Sequence, residues 1–234
     1  MNLEKLNTII DTVNVAGINR VILKKNDDGS VSVRGSDDKG EEPSIVIISE
    51  TDKDVVDNTM AIHRVPVLLN RMNLFNLDKA RVSEINTDEY TKSITIKENR
   101  KKVTYTFADP NTLMVPDGTI DDNIICSIVF KKEDIENIIK ANQALSPELF
   151  TLSGVKDEII MVLFDGISDS FTNIVGTNNS GDWEYSWKID SVMRLIKHAI
   201  KKEDSVELGI GKVGILYITV NNLIFMAMPQ VQVM

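Results

Sequence analysis

Few residues in this chain have types and spacing that could carry chemistry, and the first are in a glycine-rich motif. Gly209, Gly211 and Gly214 satisfy the spacing G-x-G-x-x-G. A dinucleotide site needs this loop between a strand and a helix, because the helix N-terminus binds the pyrophosphate. Residues 215–220, ILYITV, are typical of a strand instead. The motif therefore predicts a hairpin turn and no nucleotide cofactor.

Histidine, cysteine and acidic residues do not form a recognisable reaction centre either. His63 and His198 stand far apart without a cysteine cluster, which argues against a metal site. Cys126 is the single cysteine, and its apolar surroundings indicate a buried small hydrophobe rather than a nucleophile. The acidic pairs 27–28 and 121–122 lack the ligand spacing of a calcium loop. The sequence predicts no enzyme, no cofactor and no metal.

A basic segment near the end of the chain is the best candidate for a binding surface. As a helix, residues 188–202 place an apolar stripe opposite Arg194, Lys197, His198 and Lys201. The segment carries a net charge of +4 on a chain of −9, which leaves −13 for the rest. Two interpretations stay open at this point. The face is either solvated, or it faces a polyanion while the rest of the protein stays acidic.

Length and composition are those of a globular protein. The chain has 234 residues, enough for one large domain or two of about 115. A pI near 4.8 argues against a protein that simply coats nucleic acid. The first residues lack the apolar core of a signal peptide, and no apolar run reaches about 18 residues. We therefore expect a cytoplasmic protein.

The order of elements repeats after about 125 residues, which indicates two copies of one fold. Residues 4–10 match residues 133–139, and residues 94–96 match residues 218–220. Each copy is predicted as helix, strands, helix, strands, which is an α+β layout with two helices on antiparallel sheet. The predicted helices are Leu3–Asn14, Pro66–Asn76, Lys132–Ser146 and Ile189–Lys201.

A segment rich in turn-forming residues separates the two copies. Pro110, Pro116 and Gly118 interrupt regular structure between residues 108 and 122. The predicted organisation is a first domain over residues 1–108, a connector over 109–122 and a second domain over 123–234. The connector also contains the apolar triplet Leu113, Met114 and Val115, which has no structural reason to be exposed.

With the repeat, the connector and the basic helix in place, the chain resembles the sliding clamps of DNA replication. It is most similar to those of tailed bacteriophages, which are relatives of proliferating cell nuclear antigen (PCNA). Residues 107–112, FADPNT, resemble the entry to the phage-clamp connector. Residues 131–145 look like the first helix of the second clamp domain, and residues 223–231 like the terminal strand.

The resemblance implies a DNA-clamp fold that assembles into a closed homotrimeric ring, with helices on the inner wall and sheets outside. It implies a processivity factor that encircles duplex DNA without sequence specificity and tethers a DNA polymerase. A clamp loader would place it on DNA, in the host cytoplasm if the source is viral. The resemblance leaves open whether transcription proteins also use the ring.

Three groups of site residues follow from the resemblance. The first is a set of cations facing DNA, with few members in the first domain: Lys5, Arg71, Lys132, Lys140, Arg194, Lys197, His198 and Lys201. The second is an apolar pocket for partner peptides: Leu113, Met114, Val115, Met226, Met228 and Pro229. The third is a subunit interface between two strand edges: Lys102, Val103, Tyr105, Phe107, Asp182, Glu184, Tyr185 and Trp187.

A different class of function fits the same composition. The chain would then be an acidic two-domain module for protein–protein interaction that never encircles DNA, with its helices packed on a partner. Oligomeric mass and retention on circular DNA would separate this alternative from a clamp.

Overall fold

Each half of the chain folds as a unit of two helices and two groups of strands. Unit 1 comprises Met1–Thr119 with Asn221–Leu223, and unit 2 comprises Ile120–Val220 with Ile224–Met234. The structure is a computed structural model that describes residues 1–37, 43–53, 55–118, 120, 122–201 and 203–230. Lys202 of the basic segment and Val231 of the terminal segment lie outside these residues.

Unit 1 contains two helices and seven strands. They are α1 (Leu3–Val15), β1 (Arg20–Lys25), β2 (Val31–Ser36), β3 (Ile45–Thr51), β4 (Met60–Ile62), α2 (Val65–Met72), β5 (Arg81–Asn86), β6 (Thr91–Glu98) and β7 (Lys101–Thr106). The strand order is β4-β1-β2-β3 in one group and β5-β6-β7 in the other. Neighbouring strands within both groups pair antiparallel.

Unit 2 repeats this plan. Its elements are β8 (Ile124–Lys131), α3 (Lys132–Leu145), β9 (Leu149–Val155), β10 (Glu158–Phe164), β11 (Ser170–Thr177), β12 (Trp183–Lys188), α4 (Ile189–Ala199), β13 (Ser205–Gly211), β14 (Leu216–Val220) and β15 (Leu223–Ala227). The strand orders are β15-β14-β13-β8 and β11-β10-β9-β12. The order β12-β9-β10-β11 corresponds to β4-β1-β2-β3 of unit 1, so β11 is the equivalent of β3.

The helices of unit 1 form where capping and apolar spacing predict them. The Asn2 side chain accepts hydrogen bonds from the N–H groups of Glu4 and Lys5 and so caps α1. Pro66 occupies the first turn of α2, where its missing N–H costs nothing. The predicted stripe of α2, which includes Leu68, is buried, and α1 packs against α2. The helix ends at Met72, four residues before the predicted end.

The helices of unit 2 also lie against each other, and α4 is buried over more of its surface than one stripe. The buried residues of α4 are Ile189, Ser191, Val192, Met193, Leu195, Ile196, His198 and Ala199. This helix contacts α3 and also β9, β12, β13 and β14. Packing on several sides widens the buried arc, which a single helical stripe in the sequence does not show. Within the described residues, no helix is long and apolar enough to cross a membrane.

Candidate functional site

The predicted cations of unit 2 differ in how far they reach solvent. Lys132, Lys140 and Lys201 are exposed, whereas Arg194 and Lys197 are half-buried. The guanidinium of Arg194 lies along its own helix, because its Nε donates to the Asp190 carbonyl oxygen over 3.2 Å. Its Nη2 atom is buried without a hydrogen-bond partner within the described part of the chain. The α4 surface is therefore basic but partly sheltered.

His198 lies in the packed side of α4 rather than on its basic face. Its side chain is 8% exposed. The sequence placed it with Arg194 and Lys201 because those positions share one face of an ideal helix. An imidazole this buried offers little surface to a phosphate group, so His198 contributes little to a surface that faces a polyanion.

Acidic residues offset part of the positive charge on α3. Lys132 and Lys140 are exposed there together with Glu133 and Glu136, so these four exposed side chains sum to zero. The sequence-based prediction included the lysines of this helix without the carboxylates beside them. Any attraction of unit 2 for a polyanion therefore depends mainly on α4 and Lys201.

The two predicted cations of unit 1 are already engaged. Lys5 Nζ lies 3.7 Å from a carboxylate oxygen of Asp52. Arg71 donates to the Thr104 carbonyl oxygen over 3.0 Å and lies over the Tyr105 ring at 5.4 Å. This guanidinium thus joins α2 to β7 and is half-buried. Both side chains are therefore held in place.

Arg64 is an exposed cation that was not among the residues predicted from sequence. It is the N-cap residue of α2, directly before Val65. Its Nε donates to His63 Nε2 over 3.0 Å. Burial, and then the charge of Arg64, lower the pKa of His63, so this imidazole is neutral near pH 7. The sequence already predicted this helix. A basic residue directly before it was the signal that could have identified Arg64.

The connector begins as an ordered turn. Asp109 caps a short 3₁₀ helix, Pro110–Thr112, by accepting from the Asn111 N–H over 2.9 Å. Further along, the Arg34 guanidinium donates to the carbonyl oxygens of Asp117 and Gly118. The capped turn lies at Pro110, within the segment where the sequence showed turn-forming residues.

The predicted pocket residues fall into exposed and buried members. On the connector, Met114 is 90% exposed, while Leu113 and Val115 are half-buried. Near the terminus, Met226 is buried within β15, and Met228 and Pro229 are half-buried. Met226 is thus a core residue of unit 2. Met114 has the exposure that a docking residue needs.

The predicted interface strands both lie at sheet edges. Among the described strands, β7 pairs only with β6, and β12 pairs only with β9. The side chains alternate: Tyr105, Phe107 and Trp187 are buried, Val103 and Tyr185 are half-buried, and Lys102, Asp182 and Glu184 are exposed. The basic end of β7 and the acidic residues near β12 thus reach solvent.

The outer edge of β12 is nevertheless partly occupied. The N–H of Gln230 donates to the Ser186 carbonyl oxygen over 2.8 Å. Trp187 Nε1 donates to the Gly214 carbonyl oxygen, and the Tyr185 hydroxyl donates to that of Lys212. The Gln230 N–H therefore takes up one backbone acceptor on the outer edge of β12, while the two aromatic side chains bind the β13–β14 hairpin. This speaks against β12 as a subunit edge.

The opposite edge of the same sheet, β11, is open. Among the described strands it pairs with β10 alone, and its residues alternate between exposed and half-buried over most of its length. Ile174, in the middle of β11, is 58% exposed. An edge strand with exposed apolar side chains is a liability that pairing with another chain removes. The sequence favoured β12 instead because Asp182 and Glu184 offer a charge match with β7.

Unit 2 also has a cleft of about 470 Å³ in the group β11-β10-β9-β12. Its lining includes Leu149 and Thr151 of β9, Phe164 at the end of β10, Ser186 of β12 and the loop residue Ile167. The Thr151 and Ser186 hydroxyls are hydrogen-bonded to each other over 2.8 Å. Ile167 is 86% exposed, which makes it a useful comparison for Met114.

The sequence offered three candidates for chemistry: a metal cluster, Cys126 and the glycine-rich motif. Among the described residues, no group of three or more His, Cys, Asp or Glu side chains could hold a metal ion. Cys126 is half-buried rather than fully buried, and burial raises the pKa of its thiol to about 11. A thiol with this pKa is protonated near neutral pH and is a weak nucleophile. The G-x-G-x-x-G motif forms the predicted hairpin, between β13 and β14.

Comparison with solved structures identifies the fold. The match to the PCNA chain in "C-terminal region of FEN-1 bound to A. fulgidus PCNA" covers 100% of this chain and 98% of that one, with a TM-score of 0.71 and 14% identity. A second match, to DNA polymerase III subunit beta from Borrelia burgdorferi, covers 99% of this chain and 62% of that one, with a TM-score of 0.70 and 12% identity. The chain also matches PCNA from Thermococcus kodakaraensis, covering 98% of both chains with a TM-score of 0.65 and 10% identity.

No family model and no curated protein matches the sequence. The structural matches, at 10–14% identity, establish the fold: it is that of PCNA and the bacterial beta clamps. This confirms the predicted α+β clamp fold.

Proposed function

We propose that the protein is a sliding clamp: a homotrimeric ring that encircles duplex DNA without sequence specificity and tethers a DNA polymerase. The observation that carries the proposal is the clamp fold itself, matched over the full length of this chain and 98% of the PCNA chain. In this proposal the protein acts as a scaffold and catalyses no reaction itself. A bacteriophage source, a clamp loader as partner and a cytoplasmic location are parts of the same proposal.

In this proposal the surface that faces DNA is formed by the helices α1 to α4. Its cations are Lys5, Arg64, Arg71, Lys132, Lys140, Arg194, Lys197 and Lys201, with Arg64 added and His198 removed by their exposure. Half-buried or engaged groups such as Arg194 and Arg71 give weak, screened attraction. Loose contact with the phosphate backbone positions DNA without reading its sequence, which a ring that slides requires.

The ring closes by pairing of β7 with β11 of the next subunit. Both are edge strands of their own units, and the outer edge of β12 is partly occupied by Gln230. Lys101 and Lys102 at the start of β7 are exposed, as are Asp157 and Glu158 at the β9–β10 turn beside the end of β11. Antiparallel pairing would bring these opposite charges together, so we expect assembly to weaken with salt.

The polymerase is held through the connector. Met114 is exposed in a segment that begins with a capped turn and is held by Arg34. One flexible apolar anchor gives weak affinity, roughly micromolar, because a short peptide loses entropy on docking. Three such sites on one ring would supply avidity.

The alternative, an acidic interaction module, has one observation in its favour. The cleft beside Phe164 and Ile167 offers exposed apolar surface that the clamp proposal does not use. A module of this kind needs no ring.

Native mass spectrometry at micromolar concentration and moderate salt tests the proposal first. The clamp predicts a mass three times the 26.2 kDa of one chain. A single chain under those conditions would favour the interaction module.

A further inference from the structure

The hairpin between β13 and β14 receives the last residue of the connector. Asp122 accepts a hydrogen bond from the Val213 N–H through Oδ1 and from the Tyr217 hydroxyl through Oδ2, each over 3.3 Å. Beside it, the Lys212 N–H donates to the Asn123 carbonyl oxygen over 2.9 Å. Three hydrogen bonds therefore fasten Asp122, the last residue of the connector, and the adjacent Asn123 to one hairpin of unit 2.

Gly211 makes room for this contact. A Cβ atom built on Gly211 would collide with the carboxylate of Asp122. The backbone of Gly211 is not in the left-handed region, so another residue could adopt its conformation. Glycine is needed here for space, and the carboxylate fills that space.

The other side of the hairpin is fixed to β12. A Cβ atom built on Gly214 would lie only 2.5 Å from the Tyr185 ring. The Tyr185 hydroxyl donates to the Lys212 carbonyl oxygen over 2.8 Å. Gly214 has a φ of +86°, which favours glycine. The hairpin is therefore fixed on two sides, and the glycines at 211 and 214 are accounted for by two close approaches and one positive φ.

We propose that Asp122 and Gly211 are positioning residues that fasten the connector to unit 2 and so keep residues 113–115 placed for a partner peptide. The fastening itself stands on the hydrogen bonds of Asp122 and Asn123. The effect on partner binding rests on the proposed function, and the experiment separates the two.

The fastening is tested in the full-length protein with Asp122→Ala, Asp122→Asn and Gly211→Ala. Asp117→Ala and Gly118→Ala are the matched controls, since Asp117 offers Arg34 its backbone carbonyl, which alanine keeps, and a Cβ on Gly118 meets no atom within 4 Å. The readouts are the amide exchange rate of Val213 near neutral pH and the ultraviolet titration of Tyr217, isolated by subtracting a Tyr217→Phe variant.

Asp122→Ala and Gly211→Ala should each speed amide exchange at Val213 roughly tenfold, which is the effect of losing one hydrogen bond. Burial, and then the Asp122 carboxylate, raise the pKa of Tyr217 to about 12, so the two alanine variants should lower it. Asp122→Asn keeps an acceptor for Val213 but loses the charge, so it should lower the pKa of Tyr217 with little change in exchange. Unchanged exchange and titration in both alanine variants would overturn the fastening.

Partner binding is measured with a fluorescent peptide copied from the last residues of the replicative polymerase of the same source. Weaker binding to Asp122→Ala and Gly211→Ala, with the two controls unchanged, supports the positioning role. Unchanged affinity in variants whose Val213 amide exchanges faster overturns that role and leaves the fastening standing. A peptide that fails to bind the wild-type trimer overturns the proposed partner site along with the positioning role.

Discussion

The Gln230 N–H lies 2.8 Å from the Ser186 carbonyl oxygen and donates a hydrogen bond to it, on the side of β12 that faces away from β9. This hydrogen bond takes up part of the edge that the sequence assigned to a subunit interface. It leaves β11 as the open edge of the same sheet, which is why we propose β11 rather than β12 for the subunit interface.

Replacing Ile174 by Asp should dissociate the trimer. Ile174 is 58% exposed on β11, and in the proposed ring a second chain would cover it. An unpaired carboxylate in an apolar interface costs several kcal/mol, so association should weaken by roughly a hundredfold or more. Analytical ultracentrifugation over a concentration series measures this directly.

Ile85→Asp is the matched control for that experiment. Ile85 is 61% exposed on β5, which is also an edge strand. It should leave the trimer unchanged. If Ile85→Asp dissociates the assembly while Ile174→Asp does not, the ring closes through β5 and the β11 assignment is wrong.

Removing the charges of Arg194 and Lys197 should reduce attraction to DNA without unfolding the chain. Both side chains are half-buried on α4, so each is changed to Met, which keeps much of its apolar packing. The salt dependence of DNA binding should flatten by up to about 0.9 for each phosphate that the variant no longer neutralises. Lys92→Met with Lys97→Met removes two exposed charges from β6 and should leave the slope unchanged. Equal slopes for the two double variants would mean that α4 is only a solvated face.

Met114→Ser should abolish stimulation of the cognate polymerase while the trimer persists. Met114 is 90% exposed, so the change costs the fold little and acts on docking. Ile167→Ser provides the comparison, because that residue is 86% exposed at the cleft of unit 2. A primer-extension assay at limiting polymerase measures both. Loss of stimulation in Ile167→Ser alone would place the partner site at the cleft.

The free energy of unfolding should fall in two overlapping steps at alkaline pH. Burial raises the pKa of Cys126 from 9.0 to about 11, and burial with Asp122 raises that of Tyr217 from 10.0 to about 12. Each group holds its proton more tightly when folded, so its contribution is complete below the unfolded pKa and is lost as the pH rises through the folded pKa. Urea unfolding across this range should show a smaller loss between about pH 9 and 11 in Cys126→Ala. An identical pH profile for that variant would rule out the thiol as a cause.

Much of the fold was predictable from the sequence because it is encoded locally. The apolar spacing of α2, the first turn set by Pro66 and the repeat of about 125 residues are all visible in the order of residue types. The same local signals predicted the hairpin at Gly214. These features need no knowledge of which elements become neighbours.

The site was less predictable because it depends on distant contacts. Nothing in the sequence around His198 shows that strands pack against that side of α4, and nothing near Ser186 shows that Gln230 reaches it. The contact of Asp122 with Gly211 joins residues 89 positions apart. Charge matching along the chain favoured β12 as the interface edge, whereas hydrogen bonding within unit 2 favours β11.

Retention on DNA with blocked ends tests the central claim most directly. The protein is mixed with linear duplex that carries biotin at both ends, streptavidin is added to block the ends, and the complex is washed in high salt. A ring that threaded onto the DNA should stay bound in salt that screens electrostatic attraction, and it should leave when a restriction enzyme cuts the duplex. Release in high salt while both ends are blocked would mean that the protein binds DNA only by charge and does not encircle it.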